Sequence, residues 1–287
     1  SRSQPKATSF IFAKPAWLRS LVKPEPGTTM IEIDFGGQEL LIQGLISEDK
    51  NLIKDYLSED LYMEFAKSAD SSLPSDATKK THGKIRGTYK AAVLGIGYGM
   101  QKVALAGHLK NNTGEESSPA KAQRIIDKFN RRYHRYAQWK KNIYYKYQKK
   151  GYLQLRSGWT LFGGRSKLHK ATSIPNFPVQ GAGAEIMRKA VKAAFDNDIK
   201  VCFTLHDAVF VQCKDSELQE TLTKFTQLMR DAFQEYFVGN PYWFLASGIK
   251  LEAHMWSSTY KGPKLKMLCN PDPTKIFMQD GELTGEI

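Results

Sequence analysis

The 287-residue sequence has few cysteines, no long apolar segment and a shortage of acidic residues. Its three cysteines, Cys202, Cys213 and Cys269, are too few and too scattered for a disulfide framework or a cysteine-rich zinc site, so we expect a reducing intracellular compartment. No apolar run approaches the roughly 18 residues that cross a bilayer. No signal-peptide pattern opens the chain either, which argues against membrane and secreted proteins. With 41% apolar and 25% charged residues, the composition is that of a folded globular protein.

The positive charge of the chain is concentrated in one segment. The formal net charge of +13 comes from 42 Lys and Arg against 29 Asp and Glu. Residues 119–170, the basic block, contain 15 of these cations and a single acid, Asp127, whereas the rest of the chain is close to neutral. A scattered excess of charge is typical of a solvated surface, but a concentrated one gains free energy by releasing the counterions condensed on phosphates. The sequence therefore predicts a polyanionic partner.

Hydrophobic periodicity predicts a mixture of strands and helices. Alternating apolar and polar residues predict a strand over residues 29–35, and two β-rich runs within residues 200–213 predict a hairpin with His206 and Asp207 at its tip. Helical spacing predicts helices over residues 38–45, 47–69, 84–97, 119–150 and 181–195.

The predicted helix over residues 119–150 carries an apolar stripe among its cations. The stripe consists of Phe129, Tyr133, Tyr136, Ile143 and Tyr147. Packing in the core is the expected role of such a stripe. Stacking on nucleic-acid bases is the alternative.

Two carboxylates and a row of cations form a chemically informative set. Asp34 ends a predicted strand, and Asp207 lies at an otherwise apolar hairpin tip, where a buried carboxylate costs several kcal/mol unless it is paired or metal-bound. An incidental surface turn is the alternative for Asp207. Carboxylates on neighbouring strands can hold two Mg²⁺ ions about 3.5 to 4 Å apart, which suits in-line displacement at a phosphate. The residues Arg86, Lys90, Leu94 and Tyr98 recur every four positions, so one helix face would present cations suited to a triphosphate.

Four segments together resemble the family A DNA polymerases, which include bacterial DNA polymerase I and phage replicases. The segment Asp-Phe-Gly-Gly-Gln-Glu-Leu, which begins at Asp34, resembles motif A. The helix over residues 86–99 resembles motif B, and Leu205-His206-Asp207 resembles motif C. Residues 176–181 resemble a family segment that lies along the primer-template. The four occur in the family's order within residues 29–215, which is poorly explained by chance.

The resemblance implies a DNA-directed DNA polymerase, a nucleotidyltransferase that adds dNMP to a primer 3′ end and releases pyrophosphate. Its cofactors would be two Mg²⁺ ions, held by Asp34, Asp207 and the main-chain carbonyl of Phe35. Arg86 and Lys90 would grip the triphosphate of the incoming dNTP. The catalytic residues would be the two aspartates and Lys90, which would protonate the leaving pyrophosphate.

The resemblance also implies contacts with the sugar and base of the nucleotide and with primer-template DNA. Glu39 falls at the family's sugar gate, a carboxylate beneath C2′ that disfavours a 2′-hydroxyl. The other implied dNTP-binding residues are Leu94, Tyr98 and Tyr62. The DNA-binding candidates are His206, Gln180 and Asn176, near the primer terminus or template, and Arg131, Arg132 and Arg135 in the basic block.

Four positions depart from the pattern of the family. Ala208 replaces a glutamate that often follows the His-Asp pair, and Leu94 replaces a residue that is usually aromatic. Tyr62 stands where a phosphate-contacting histidine often lies, and Thr172 where an arginine near the primer is common. These departures indicate a divergent, phage-like branch of the family. Because both metal-binding aspartates are present, we expect activity to survive the loss of the glutamate.

Two other functions compete with a DNA polymerase. A single-subunit RNA polymerase has a similar palm, but Glu39 at the gate favours deoxynucleotides. A catalytically inactive relative that only binds primer-template is the second alternative, although the aspartates and phosphate-binding cations are intact.

The expected fold is α/β in the α+β sense, a right-hand polymerase palm with an antiparallel sheet and an inserted helical fingers subdomain. The predicted limits are residues 1–46 and 152–262 for the palm, 47–151 for the fingers with the motif B helix at 84–98, and 263–287 for a C-terminal extension. Neither a thumb nor a proofreading exonuclease is evident. The chain begins at Ser1 rather than Met, and we expect a longer polypeptide to supply the thumb and an exonuclease. The expected location is the cytoplasm of a bacterial or phage-infected cell, at the nucleoid, without a membrane.

Overall fold

The computed structural model describes Phe10 and residues 15–114, 116–163, 169, 171–256 and 264–265. Its strands are β1 (Thr28–Gly36), β2 (Tyr152–Gln154), β3 (Thr160–Phe162), β4 (Lys200–Leu205), β5 (Ala208–Lys214) and β6 (Lys250–Met255). Its helices are α1 (Gln38–Ser47), α2 (Lys50–Leu57), α3 (Leu61–Ala69), α4 (Gly83–Gly97), α5 (Lys102–Thr113), α6 (Pro119–Arg132), α7 (His134–Lys150), α8 (Ser173–Asp196) and α9 (Leu218–Tyr236). Short 3-10 turns occupy Ala16–Leu21, Asp215–Glu217 and Trp243–Gly248.

The described residues divide into two compact units. The sheet unit combines the residues up to Gln38 with those from Gln180 onward, and the helical unit is Glu39–Val179. The boundaries therefore fall inside α1 and α8, rather than at residues 46 and 151 as the sequence predicts for palm and fingers. The assignment of the units as palm and fingers stays a prediction. The predicted C-terminal extension lies outside the described residues, apart from Lys264 and Leu265.

The sheet unit is built on four antiparallel strands in the order β4-β5-β1-β6. Strand β1 occupies an interior position, which suits its run of buried residues, because strands with neighbours on both sides have few exposed groups. The predicted strand, the predicted hairpin and the predicted antiparallel sheet are confirmed. The sequence did not predict β6 or α9.

The two faces of this sheet differ in what covers them. On one face Phe35 of β1 contacts Phe233 of α9, with ring centroids 6.0 Å apart. On the other face Met30, Ala208 and Phe210 form a buried cluster. Because side chains alternate along a strand, Asp34 lies on the same face as Met30, opposite α9.

The core of the helical unit is aromatic. Phe65 of α3 contacts the rings of Tyr89, Phe129 and Tyr133, at centroid distances of 5.6, 5.6 and 5.8 Å. Tyr136 and Tyr147 are also buried. The predicted core role of the stripe is therefore confirmed for its aromatic residues, and Ile143 packs at the edge of the cluster that contains Tyr147.

The prediction of two long helices from periodicity is wrong, because each of the two segments forms two shorter helices. The segment predicted as one helix over residues 119–150 forms α6 and α7, separated at Tyr133 with φ −106° and ψ 56°. The carboxylate of Asp49 accepts a hydrogen bond from the main-chain amide of Tyr136 (3.0 Å), an amide in the first turn of α7. A residue distant in sequence therefore caps the new helix, and local periodicity carries no trace of it.

The segment predicted as helical over residues 47–69 forms α2 and α3. The side chain of Asp49 caps the first of these through Leu52 N (3.1 Å), and Asp60 caps the second through Tyr62 N (3.1 Å). Capping aspartates satisfy amides that have no partner within the helix. A third difference concerns α8, which begins at Ser173, eight residues before the predicted start at Gly181, and accommodates an internal proline.

Among the residues that the structure describes, no helix has both the length and the apolar character that crossing a bilayer requires.

Candidate active site

The sheet unit brings Asp34 and Asp207 together at one end of the β1–β5 pair. Asp34 is the register partner of Ala208, the residue that follows Asp207. The main-chain amide of Phe35 donates a hydrogen bond to the carbonyl oxygen of Asp207 (3.1 Å). Both aspartates are half-buried. Asp34, near the end of β1, and Asp207, in the turn that leads into β5, thus occupy adjacent positions at one end of the sheet.

The turn that carries Asp207 is a two-residue hairpin loop. Leu205 and Ala208 close it as register partners, and His206 has φ 54°, in the left-handed region. Tight hairpin loops need such positive φ values, and histidine is among the residues enriched there. His206 is exposed.

A third acid lies in the same row of the sheet, and sequence reasoning missed it. Glu252 of β6 is the register partner of Asp34 on the side opposite Ala208. Its carboxylate lies 3.8 Å from His254 Nε2 and 3.8 Å from Lys264 Nζ. Only the pairing of β1 with β6, strands more than 200 residues apart in sequence, places Glu252 in this row. No local signal could have found it.

The donor atoms near the end of β1 fit a magnesium ion. Two carboxylates and the main-chain carbonyl of Phe35 are hard oxygen ligands of the type that Mg²⁺ prefers. Across the described ranges, no cluster of three or more His, Cys, Asp or Glu could hold an ion on its own. Mg²⁺ is usually bound by one or two carboxylates together with substrate phosphates. The pair of aspartates therefore fits an ion that binds with a phosphorylated substrate.

Within the helical unit, α4 presents the row of cations that the sequence predicts. Arg86 and Leu94 are half-buried and Lys90 and Tyr98 are exposed, whereas Ala91 to Val93 and Gly95 to Gly97 are buried. One face of the helix is therefore buried, and the row that contains Arg86 and Lys90 lies on its more exposed face. The predicted helix over residues 84–97 is confirmed.

Tyr62 of α3 lies under both cations of this row. Arg86 Cζ is 5.1 Å and Lys90 Nζ 5.7 Å from the centroid of its ring. Cations are attracted to the negative face of an aromatic ring. Burial raises the pKa of the Tyr62 hydroxyl, against the opposing effect of Arg86. The structure thus brings three predicted nucleotide-binding residues together.

Asp60 is a residue of this group to which the sequence assigned no role. One of its carboxylate oxygens caps α3, and the other accepts a hydrogen bond from Nε of Arg86. Its pattern as a helix N-cap could have been recognised from sequence, but its ion pair with a residue of another helix could not.

The end of α4 is shaped by Gly99 and Asn176. Gly99 has φ 85°, and a Cβ there would lie 3.0 Å from Cβ of Thr172, so only glycine fits without strain. Asn176 Nδ2 donates a hydrogen bond to the carbonyl of Tyr98 (3.2 Å). A cleft of about 480 Å³ opens beside these residues and is also lined by Lys140 and other residues of α7.

Glu39 and Lys140 both interact electrostatically with Tyr136. Glu39 lies in the first turn of α1, and it helps to raise the pKa of Tyr136, for which burial is the main cause. Lys140 Nζ is 4.8 Å from the centroid of the Tyr136 ring, and burial lowers the pKa of Lys140 to about 8. Sequence reasoning counted Lys140 only as one of the cations of the basic block.

The three arginines proposed from the basic block have different surroundings. Arg132 forms two hydrogen bonds with the buried carboxylate of Asp55 (2.6 and 2.7 Å), which also accepts from the hydroxyl of Tyr133 (2.7 Å). These bonds are the main cause of a raised pKa of Arg132. Arg135 lies 3.5 Å from the carboxylate of Glu48, and Arg131 is exposed. Arg132 thus has a structural partner inside the unit, and a contact of any of the three with DNA stays a prediction.

Gln180 of α8 belongs to the sheet unit and is half-buried, and its contact with DNA stays a prediction.

The chain matches the family model described as DNA polymerase family A over residues 13–238. The chain belongs to DNA polymerase family A. The matched region contains all the predicted site residues of both units, and the predicted family is confirmed.

Members of this family with similar sequences include two bacterial enzymes. DNA polymerase I of Aquifex aeolicus (strain VF5) is 25% identical over 222 residues, which cover 75% of this chain and 38% of that protein. DNA polymerase I of Streptococcus pneumoniae serotype 4 is 26% identical over 238 residues, 76% of this chain and 25% of that protein. This chain therefore spans well under half the length of these two relatives.

A solved structure of the family has a similar fold. The POL domain of Pol1 from M. smegmatis, in complex with DNA primer-template and dNTP, aligns with a TM-score of 0.65 at 20% identity. The alignment covers 83% of this chain and 41% of that chain. The predicted palm-type fold, an antiparallel sheet combined with helices, is confirmed.

Proposed function

We propose that this chain is the nucleotidyl-transfer portion of a DNA-directed DNA polymerase, which extends a primer 3′ end with dNMP and releases pyrophosphate. The observation that carries the proposal is the adjacency of Asp34 and Asp207 across β1 and β5 in a chain of DNA polymerase family A. Membership of this family favours DNA polymerase over a single-subunit RNA polymerase.

The sheet unit would hold the metal ions. Asp34, Asp207 and the carbonyl of Phe35 are the proposed ligands of two Mg²⁺ ions. When bound, these ions would activate the primer 3′-hydroxyl and neutralise charge that develops on the phosphates. The main-chain hydrogen bond between Phe35 and Asp207 keeps the two ligand positions side by side before any substrate binds. His206 and Gln180 would contact the primer terminus and the adjacent template.

The helical unit would bind the incoming nucleotide. Arg86 and Lys90 bind the triphosphate, with the ring of Tyr62 beneath both of them. Lys90 is the proposed donor of a proton to the leaving pyrophosphate. It is exposed, so it can approach a bound phosphate without first breaking buried contacts.

Base and sugar selection would use the remaining residues of the helical unit. Tyr98 is the proposed neighbour of the templating base, and its carbonyl is held by Asn176. Glu39 would lie beneath C2′ of the sugar and exclude a 2′-hydroxyl. Leu94, between Lys90 and Tyr98 on α4, would pack on the nascent base pair with an aliphatic rather than an aromatic side chain.

Primer extension tests this function. A labelled primer on a DNA template is incubated with Mg²⁺ and each dNTP in turn, and in parallel with each rNTP. We expect addition of the complementary dNMP alone, with pyrophosphate released in equal amount. A preference for rNTPs would favour the RNA polymerase alternative, and measurable DNA binding without any extension would favour an inactive relative.

The matched control for the assay is a variant of the same chain. Asp207→Asn retains the size of the side chain and the main-chain bond to Phe35, but it loses the negative charge. Extension by the wild type and not by this variant would exclude a contaminating polymerase. Addition of EDTA to the wild-type reaction should also stop extension.

A further inference from the structure

The β2–β3 hairpin of the helical unit has two unlike faces. Leu153 and Leu161 are register partners on the inner face, where Leu153 is buried in a cluster with Tyr147 and Ile174. The pair Tyr152 and Phe162 stands on the other face, because side chains alternate along a strand. We call this pair the aromatic face of the hairpin.

The aromatic face is exposed. Tyr152 is 39% and Phe162 71% exposed, and their ring centroids lie 6.3 Å apart at an interplanar angle of 41°. A third ring, Trp159 in the turn of the hairpin, is 53% exposed. Single exposed apolar residues are common on proteins, but two exposed rings packed side by side on one face of a short hairpin form a patch of the kind that marks a binding site.

Cations border the aromatic face. Helix α7 ends at Lys150, and the single residue Gly151, whose φ of 74° turns the chain sharply into β2, separates Lys149 and Lys150 from Tyr152. Both lysines are exposed, as is Arg156 in the turn. The sequence contains no Asp or Glu between Asp127 and Glu185. The hairpin therefore combines exposed rings with positive charge that no nearby acid in the sequence offsets.

A single-stranded nucleic acid has the matching chemistry. Its bases present flat apolar faces that stack on aromatic rings, and its phosphates pair with Lys and Arg. In a duplex the base faces are covered by neighbouring base pairs, so exposed rings would gain nothing there. We propose that the aromatic face of the β2–β3 hairpin binds the unpaired template strand by stacking with its bases, with Lys149 and Lys150 on its phosphates. This inference rests on the proposed polymerase function for the identity of the strand.

Fluorescence anisotropy of the full chain with a labelled single-stranded DNA tests the proposal. The double variant Tyr152→Ser/Phe162→Ser should weaken binding to the single strand roughly 10- to 100-fold, since each base that stacks on a ring adds to the free energy of binding. Its affinity for a blunt duplex of the same length should not change. The matched control is Phe195→Ser, which removes a ring that is 81% exposed on α8 of the sheet unit. Unchanged thermal unfolding of both proteins confirms that neither substitution disturbs folding.

Salt dependence measures the contribution of the cations separately. Lys149→Gln/Lys150→Gln should reduce the slope of log K against log salt by about 1.4 for the single strand, since each phosphate contact contributes about 0.7. An equal loss for single strand and duplex in the aromatic variant would show a contact with phosphates alone and overturn the proposal. Unchanged single-strand binding in the aromatic variant would overturn it as well.

Primer extension separates this inference from the proposed function. On a template with a one-nucleotide overhang the aromatic variant should extend like wild type, whereas on a 20-nucleotide overhang its apparent KM for DNA should rise. If the wild type extends no primer, the polymerase function fails, but the anisotropy comparison still decides whether the hairpin binds single strands. If extension is normal and single-strand binding does not depend on the rings, only this inference fails.

Discussion

The main-chain amide of Phe35 donates a hydrogen bond to the carbonyl oxygen of Asp207. This bond depends on the backbone and not on the aspartate side chains, so it survives substitution of either carboxylate. The positions of Asp34 and Asp207 are thus set by the pairing of β1 with β5. Their charges can be changed one at a time without moving the strands.

Asp34→Asn and Asp207→Asn should each lower the rate of primer extension by roughly a thousandfold or more. The reason is that bound metal ions supply several kcal/mol of transition-state stabilisation, and each 1.4 kcal/mol corresponds to tenfold in rate. DNA affinity should stay close to wild type in an anisotropy assay. Asp231→Asn, at an exposed position of α9, is the control and should keep full activity. Wild-type turnover in either active-site variant would contradict the metal assignment.

Tyr62→Ala should raise the KM for dNTP roughly 5- to 30-fold, because it removes the ring beneath Arg86 and Lys90, and each cation–π contact contributes about 0.5 to 1 kcal/mol. Tyr62→Phe keeps the ring and should change KM little. Steady-state kinetics at saturating primer-template measures the KM for dNTP of both variants. Equal effects of both substitutions would show that the hydroxyl, and not the ring, is the functional group.

Asp55→Ala should destabilise the chain by about 3 to 5 kcal/mol, because removal of one partner leaves a desolvated ion unpaired. The side chain of Asp55 is only 3% exposed and serves both Arg132 and Tyr133. Urea unfolding measures the loss. Asp127→Ala, at an exposed position of α6, is the control and should change stability by less than about 0.5 kcal/mol.

Substitution of Arg132 should change the stability of the chain, whereas substitution of Arg131 should change only its binding to DNA. Arg132→Met should lower stability, because it leaves the carboxylate of Asp55 buried without its cation. Arg131→Met should leave stability unchanged and, if this exposed arginine contacts a phosphate, reduce the salt slope of DNA binding by about 1. The opposite pattern would assign Arg132 to DNA and would contradict its structural role.

Lys140→Met should have an effect on stability that depends on pH. Burial lowers the pKa of Lys140 to about 8, below its value in the unfolded chain. Between pH 8 and about 10.4 the unfolded chain therefore binds more protons at this site, and the wild type gains stability as pH rises. Relative to wild type, the variant should be more stable at pH 7.5, and this advantage should shrink by pH 10.

Urea unfolding at the two pH values measures this difference for Lys140→Met. Lys141→Met, at the exposed neighbouring position, should show no such trend. A constant difference between wild type and Lys140→Met at both pH values would show that the ammonium group is not destabilised by its surroundings.

Local sequence patterns predicted the elements that carry the chemistry. Alternation identified β1 and the β4–β5 hairpin, and spacing by four identified the face of α4, because these signals depend on residues near each other in the chain. Motif order identified the family, and the charge count identified the basic block. Each of these properties depends only on the order of the residues along the chain.

The breaks between helices and the contacts of individual side chains depended on distant residues. Tyr133 interrupts a helix that periodicity extends from residue 119 to 150, and Asp49 caps the new helix from 87 positions away. The partners of Arg86 and Arg132 are Asp60, the N-cap of α3, and Asp55 of α2, which lie 26 and 77 positions away. Such pairs form when helices pack, so no local window contains them.

The sequence by itself determined the family, the antiparallel sheet, the two strand-end aspartates and the cationic helix face. Only the tertiary structure decided that Arg132 is bound to Asp55, that Tyr62 lies beneath both Arg86 and Lys90, and that Glu252 joins the row of Asp34. The physical reason is the range of the interactions. Periodicity and turn preference act between residues a few positions apart, whereas burial and charge pairing act between any residues that folding brings into contact.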